Sequence, residues 1–256
     1  MTRETTAKSG ERNSAAASRQ ISSDFSQFTY PRLLRLQAQT RPDARAVVTA
    51  ARAITWKGLD DEALEHAAAL LALGVAHGDK IGILMANCCE WVVWAHAAAG
   101  IGGVVVPANT RFRQEELAYQ LKASDTRVLV MQKKMGETDF LAMVLNLVPE
   151  LKTAKAGDWR SAAFPELCQV ICVDIEPGEV PGILSATEAL QRVTPEGIEQ
   201  ARRAQEKVQP QDPASSCRAV NISSVRRRGS RRSSKASPPR RDPSSPPFTA
   251  APSAPA

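Results

Sequence analysis

Between Phe28 and about Ala189, short continuous apolar runs alternate with longer amphipathic ones, and this alternation constrains the fold more than any single residue does. "RAVVTA" (Arg45 to Ala50) and "RAITW" (Arg52 to Trp56) read as strands close enough to pair. In "KGLDDEALEHAAALLALG", Leu59, Leu64, Ala67, Ala68 and Leu71 recur at helical spacing and Gly74 supplies the stop. Then "DKIGILMAN" reads as a buried strand, "CEWVVWAHAAAGI" as an apolar helix, "GGVVVP" as a strand, and "RQEELAYQLKAS" as a helix with Leu117 and Leu121 inward. "TRVLVM" is again a strand, "TDFLAMVLNLV" a helix and "CQVICVD" a final strand. Strands that are apolar throughout, rather than in alternation, are covered on both faces, and parallel neighbours need a crossover between them. The predicted fold class is therefore α/β: a doubly wound, mostly parallel sheet with helices on both faces.

The two ends of the chain differ from this pattern. Residues 1–27 carry Arg3, Lys8, Arg12 and Arg19 among many Ser and Ala, a weak organelle-targeting pattern that composition alone reads as a disordered leader. No run approaches the roughly 20 apolar residues of a membrane span, so the expected setting is cytoplasmic. The folded part is expected over residues 28–212. From there to Ala256 apolar periodicity is lost, and Ser, Pro and Arg form a basic tail too poor in apolar surface to offset the entropy of ordering. From Ala214 on, nine Lys or Arg stand against one acid, Asp242, leaving 24 basic and 26 acidic residues in the first 213. The net charge of +6 thus belongs to the tail, not to a basic folded surface.

Single reactive residues give no site. His66 and His96 fall in predicted helices and His77 in the turn before "GDK", with no partners at ligand spacing, so no metal ligands are assigned. The five cysteines (Cys88, Cys89, Cys168, Cys172, Cys217) are odd in number, and four sit among apolar residues, which predicts reduced core thiols. "GIGG" (Gly100 to Gly103) follows a helix and precedes a strand, the reverse of a dinucleotide-binding loop, and reads as a helix stop and tight turn. No catalytic, cofactor-binding or metal-binding residue is named.

The order of segments nonetheless resembles a family, the adenylate-forming acyl-CoA synthetases. The likeness rests on "TW" and Leu59 at the first long helix, "LGV" and "GDK", Asn87 with Glu90-Trp91, the "GGVVVPAN" strand, "EELAYQL" and Asp125 before "RVLV". "NLVPEL" and "FPELCQVICVD" look like the fatty-acid-activating branch, and "VQPQDPA" (Val208 to Ala214) resembles the lead-in to the family's ATP loop. The resemblance implies ATP, Mg2+ and coenzyme A for the full-length family, with a fatty acid or other carboxylate passing through an acyl-adenylate.

After Ala214 the likeness stops. The family continues with a Thr-Ser-Gly-rich loop ending in Pro-Lys-Gly that cradles the phosphates through backbone N–H groups and a lysine. This chain has "SSCRAVNISSVRRRGSRRSSKAS", which predicts a truncated, inactive ligase. CGN arginine codons read one base earlier become NCG, which includes threonine. Shifted this way, Ser224 to Arg232 are compatible with Gly-Thr-Thr-Thr-Gly-Phe-Pro-Lys, as if the tail were the loop out of frame. The alternative is a non-catalytic binding module whose basic tail contacts nucleic acid or acidic surfaces. If the tail retains polyanions, retention is non-specific and falls by orders of magnitude between about 50 and 200 mM salt. A salt titration on unrelated sequences checks this, and salt-resistant recognition of one sequence contradicts it.

Overall fold

The computed structural model describes residues 28–216; the predicted leader and residues 217–256 of the tail lie outside the described residues. The first element is a helix that the sequence reading did not anticipate, α1 (Tyr30–Thr40). Thr29 caps it by accepting from the Arg32 N–H, and Pro31 occupies its first turn, where the missing N–H costs nothing. Its one stripe of apolar residues buries Leu34 with Ile54, Leu59 and Val93.

Strands β1 (Arg45–Val48) and β2 (Ala53–Thr55) pair antiparallel as expected, but as a two-stranded sheet of their own. Trp56, read as the end of the second strand, instead opens α2 (Trp56–Ala72), because the Thr55 hydroxyl accepts from the Gly58 N–H at 3.1 Å. Gly74, at φ +80°, follows this helix in a left-handed conformation that suits glycine.

The main sheet contains β3 (Lys80–Leu84), β4 (Val104–Pro107), β5 (Thr126–Met131), β8 (Gln169–Cys172) and β9 (Leu184–Ser185). Their order is β4-β3-β5-β8-β9 and every pairing is parallel. A short hairpin, β6 (Lys134–Met135) and β7 (Thr138–Asp139), leaves the end of β5. "CQVICVD" is therefore not the last strand. Leu184 and Ser185 pair beside it, a piece too short to show an apolar run of its own, and Ser215 makes a further parallel bridge to Val105.

Side chains alternate across each strand, and both faces are covered. On one face Ile81, Ile83, Val105, Val128, Val130 and Ile171 pack under α2 and α3 (Cys89–Gly100), joined by Ala189 of α6 (Ala186–Leu190) and Ala201 of α7 (Pro195–Lys207). On the other, Leu129, Met131, Val170 and Cys172 meet Leu117 and Leu121 of α4 (Gln114–Ala123) and Phe140 and Val144 of α5 (Phe140–Leu147). The alanines of α2 and α3 (Ala67, Ala68, Ala97, Ala98) are fully buried, small enough for the two helices to approach closely. The apolar helix 89–101 and the inward Leu117 and Leu121 are as the sequence predicts.

Gly182 lies against the backbone after α5: its N–H donates to Leu151 O at 2.9 Å, and its carbonyl accepts from the Trp159 indole at 3.0 Å. A Cβ there would stand 2.5 Å from Leu151 Cα and 2.6 Å from Leu151 O, a clash with backbone that no rotamer relieves. Gly182→Ala is expected to cost about 1–3 kcal/mol, the usual range for overpacking. Urea unfolding checks it, and an unchanged midpoint contradicts the packing described.

Candidate functional site

In open parallel sheets ligands bind beyond the carboxyl ends of the strands, at the point where connections leave for opposite faces. Here that point lies between β3, which continues into α3 on one face, and β5, which leads to α5 on the other. One glutamine bridges it. Gln132 follows β5 and accepts from the Ala86 N–H at 2.6 Å through Oε1, while its Nε2 donates to Lys134 O and its backbone N–H to Leu84 O.

Three other N–H groups at the carboxyl ends have partners of their own. The Lys133 N–H donates to Asp174, Ala108 N–H to Ile83 O, and Arg111 N–H to the Asn109 side chain. The Lys133 ammonium pairs with Glu179, which raises the lysine and lowers the carboxylate from their ordinary pKa values, in each case through their mutual hydrogen bond first. A phosphate cradle requires free N–H groups converging on one point. The N–H groups of Ala86, Lys133 and Arg111 each bond a side chain of the same rim, and among the described residues no three His, Cys, Asp or Glu side chains gather as a metal site.

What the fold does provide is an edge. Beyond α7 the chain turns at Gln209–Asp212 and runs alongside β4: Val105 N–H donates to Ala214 O at 3.0 Å and Ser216 N–H to Val105 O at 2.9 Å. This pairing continues four residues past the expected boundary at Asp212. Asp212 accepts from the Gln209 N–H at 2.8 Å and lies 3.0 Å from His77 Nε2. The backbone hydrogen bond, then that of His77, holds its carboxyl below the ordinary carboxylate range. His77 in turn crosses Gly102, where a Cβ would stand 2.2 Å from the ring and where φ is +76°. The sequence placed His77 correctly in a turn but offered no partner, because Asp212 is 135 residues away; "GDK" and "DPA" were visible only as separate landmarks.

The remaining residues weighed in sequence have structural surroundings. The His66 ring donates from Nδ1 to Glu62 O at 2.7 Å and meets Trp94 edge-on, and His96 packs beside Tyr30. Gly100 to Gly103 form the helix end and turn before β4, as expected. Cys89 and Cys172 are core thiols. Cys172 is pushed up to about 12 by burial, with the neighbouring Asp174 carboxylate adding to it, so it stays a thiol at neutral pH. Cys88 and Cys168 correct the expectation: both are half-buried, Cys88 as the residue before α3 and Cys168 just ahead of β8, where apolar neighbours in sequence do not close over them. Cys217 lies outside the described residues.

Comparison with known proteins points to one family. The profile described as "AMP-binding enzyme" matches residues 34–217, more than half of the chain. Medium-chain acyl-CoA ligase ACSF2, mitochondrial, of Macaca fascicularis is 30% identical over 188 residues, covering 72% of this chain and 30% of the relative. YngI of Bacillus subtilis, assigned by name to the acyl-CoA synthetases, is 35% identical over 147 residues, covering 57% of this chain and 27% of the relative. The chain thus spans under a third of the length of these curated relatives. The anthranilate CoA ligase AuaEII, solved with anthranoyl-AMP, superposes with a TM-score of 0.55 at 22% identity over 68% of this chain and 30% of that one. Coronafacic acid ligase from Pectobacterium brasiliense gives 0.53 at 18%, over 65% and 30%. These two likenesses bear out the α/β fold.

Burial lowers the pKa of His66 and His96 below the ordinary 6.5, the largest cause in each case. Below pH 6.5 the unfolded chain therefore binds protons that the folded chain refuses, and stability falls as pH falls toward the folded values. Urea midpoints are expected to decline from pH 7.5 to 5.5, and the double variant His66→Gln with His96→Gln to show a shallower decline. Equal slopes contradict the assignment.

Proposed function

This chain belongs to the AMP-binding enzyme family, and from that premise we propose that its folded part is the amino-terminal scaffold of an ATP-dependent carboxylate–CoA ligase acting through an acyl-adenylate. The proposed carboxylate is a fatty acid. Its support is the name of the ACSF2 relatives, medium-chain acyl-CoA ligase, together with the "NLVPEL" and "FPELCQVICVD" segments. The observation that carries the reading is the match over residues 34–217, which ends where the chain has just joined the edge of the parallel sheet at Val105. In such a scaffold β4 is the template on which a phosphate-binding segment is laid.

In this polypeptide the residues following Ser216 contain no Thr-Ser-Gly-rich loop and no Pro-Lys-Gly. Electrostatic stabilisation of the reacting phosphate, usually the largest catalytic contribution, has no donor set. As given, then, the chain is an inactive ligase scaffold, and its tail is the loop read out of frame. The binding-module alternative draws no support from the relatives named above, which are acyl-CoA ligases or synthetases by name. A cytoplasmic setting is not supported either, since the ACSF2 relatives are named mitochondrial; no helix among the described residues is long and apolar enough to cross a membrane.

The purified chain is expected to give no carboxylate-dependent exchange of labelled pyrophosphate into ATP with octanoate, palmitate or benzoate. Exchange above background overturns the inactivity. Replacing residues 217–256 with the corresponding remainder of a full-length ACSF2 relative is expected to restore fatty-acid-dependent exchange. A chimera that unfolds cooperatively yet stays silent with all three acids contradicts the ligase reading.

A further inference from the structure

The segment Ala214–Ser216 pairs with β4 over only three residues, and two features bound it. At its start, Asp212 holds both the Gln209 N–H and His77, tying the turn after α7 to the loop before β3. His77 is held in place by Gly102, which leaves no room for a side chain, and Gly78 N–H donates to Gly102 O at 2.8 Å. One carboxylate thus ties two loops at the amino end of the sheet, and the Gly78–Gly102 hydrogen bond joins a third to them.

At its finish stands Pro107. Along β4, the N–H and C=O of Val105 point outward to the edge segment, while Ala108 N–H turns back to Ile83 O. Residue 107 therefore presents its nitrogen outward again, opposite the carbonyl of Ser216, and as proline it has no hydrogen to donate. Its carbonyl accepts from Gln120 Nε2 at 3.0 Å. Among the described residues the pairing runs from Ala214 to Ser216, and Pro107 has no N–H to carry it further on its own side.

We propose that Asp212 is a positioning residue and Pro107 a stop, which together fix the register of the edge segment so that whatever follows Ser216 starts from the carboxyl end of β4. For an adenylate-forming enzyme that is where the phosphate-binding loop begins, and this consequence alone rests on the ligase reading. Neither residue touches a reacting atom; both act through the backbone of Val105 and Ser216. Small errors in where a loop leaves its sheet matter because catalytic donors tolerate only fractions of an ångström.

The register is read by residue-resolved hydrogen exchange on the full chain, with no need of activity. Val105 N–H has Ala214 O as its acceptor, so it reports the segment directly. In Asp212→Ala its exchange, with that of Ser216 N–H, is expected to speed up at least tenfold while Ile83 and Val130 in the sheet centre keep their protection. Asp212→Asn, which retains an acceptor for Gln209 N–H, is expected to restore part of the protection. In Pro107→Ala the new N–H at residue 107 is expected to be protected, having gained Ser216 O. Uniform acceleration at all amides in Asp212→Ala, or a freely exchanging amide at residue 107 in Pro107→Ala, overturns the proposal. Failure of the chimera above with these protection patterns intact would instead sink the ligase reading and leave the register device standing.

Discussion

A parallel sheet exposes apolar surface on both sides, and the structure depends on covering both. Ile81 and Ile83 project from β3 to one face and Leu84 to the other, so the central strand is satisfied only when helices arrive from two directions. That demand fixes the connections. The helix after β3 must lie on one face and the helix after β4 on the other, which is what moves the chain from the left of β3 to its right. It also sets the composition: α3 is apolar nearly all round because it lies between the sheet and α2, whereas α7, which is polar overall, buries only one stripe, with Ala201 and Gln205 as its buried residues.

The sequence made much of this legible because the strands of the sheet are short and apolar. Thr126–Met131 coincides with the run "TRVLVM", and Gly74 and Gly102 mark turns at positive φ. What escaped had a physical reason in each case. β9 has two residues and α6 five, too few to display a period, and α1 and α7 are so polar that their single apolar stripes are hard to see without neighbours. Trp56 looked like a strand residue by propensity, but Thr55 caps a helix there and local capping outweighs it. The cysteines show a related difficulty: apolar neighbours along the chain foretold burial for Cys89 and Cys172, yet Cys88 and Cys168 sit at the ends of elements, where cover is partial.

The candidate site was less legible than the fold. It is a matter of backbone groups, of which N–H is engaged and which is not, and composition does not report that. Gln132, Asp174 and Glu179 bond the Ala86 N–H, the Lys133 N–H and the Lys133 ammonium, and each is an ordinary polar residue in sequence. Among the described residues, chain is added to the main sheet along β4, flanked by His77–Asp212 at one end and Pro107 at the other. The same lead-in was recognisable as "VQPQDPA", but only the structure connects it to His77 and to the strand it joins.

The reading we propose makes the chain through Ser216 the scaffold of an adenylate-forming ligase, with the residues after it the phosphate-binding loop's message read in another frame. The coding DNA downstream of the Ala214 codon tests this most directly. The account predicts that a shift of one base there opens a frame encoding a Thr- and Gly-rich loop closed by a lysine and continuing into adenylate-forming sequence. Coding DNA in which no single-base shift opens such a frame contradicts it.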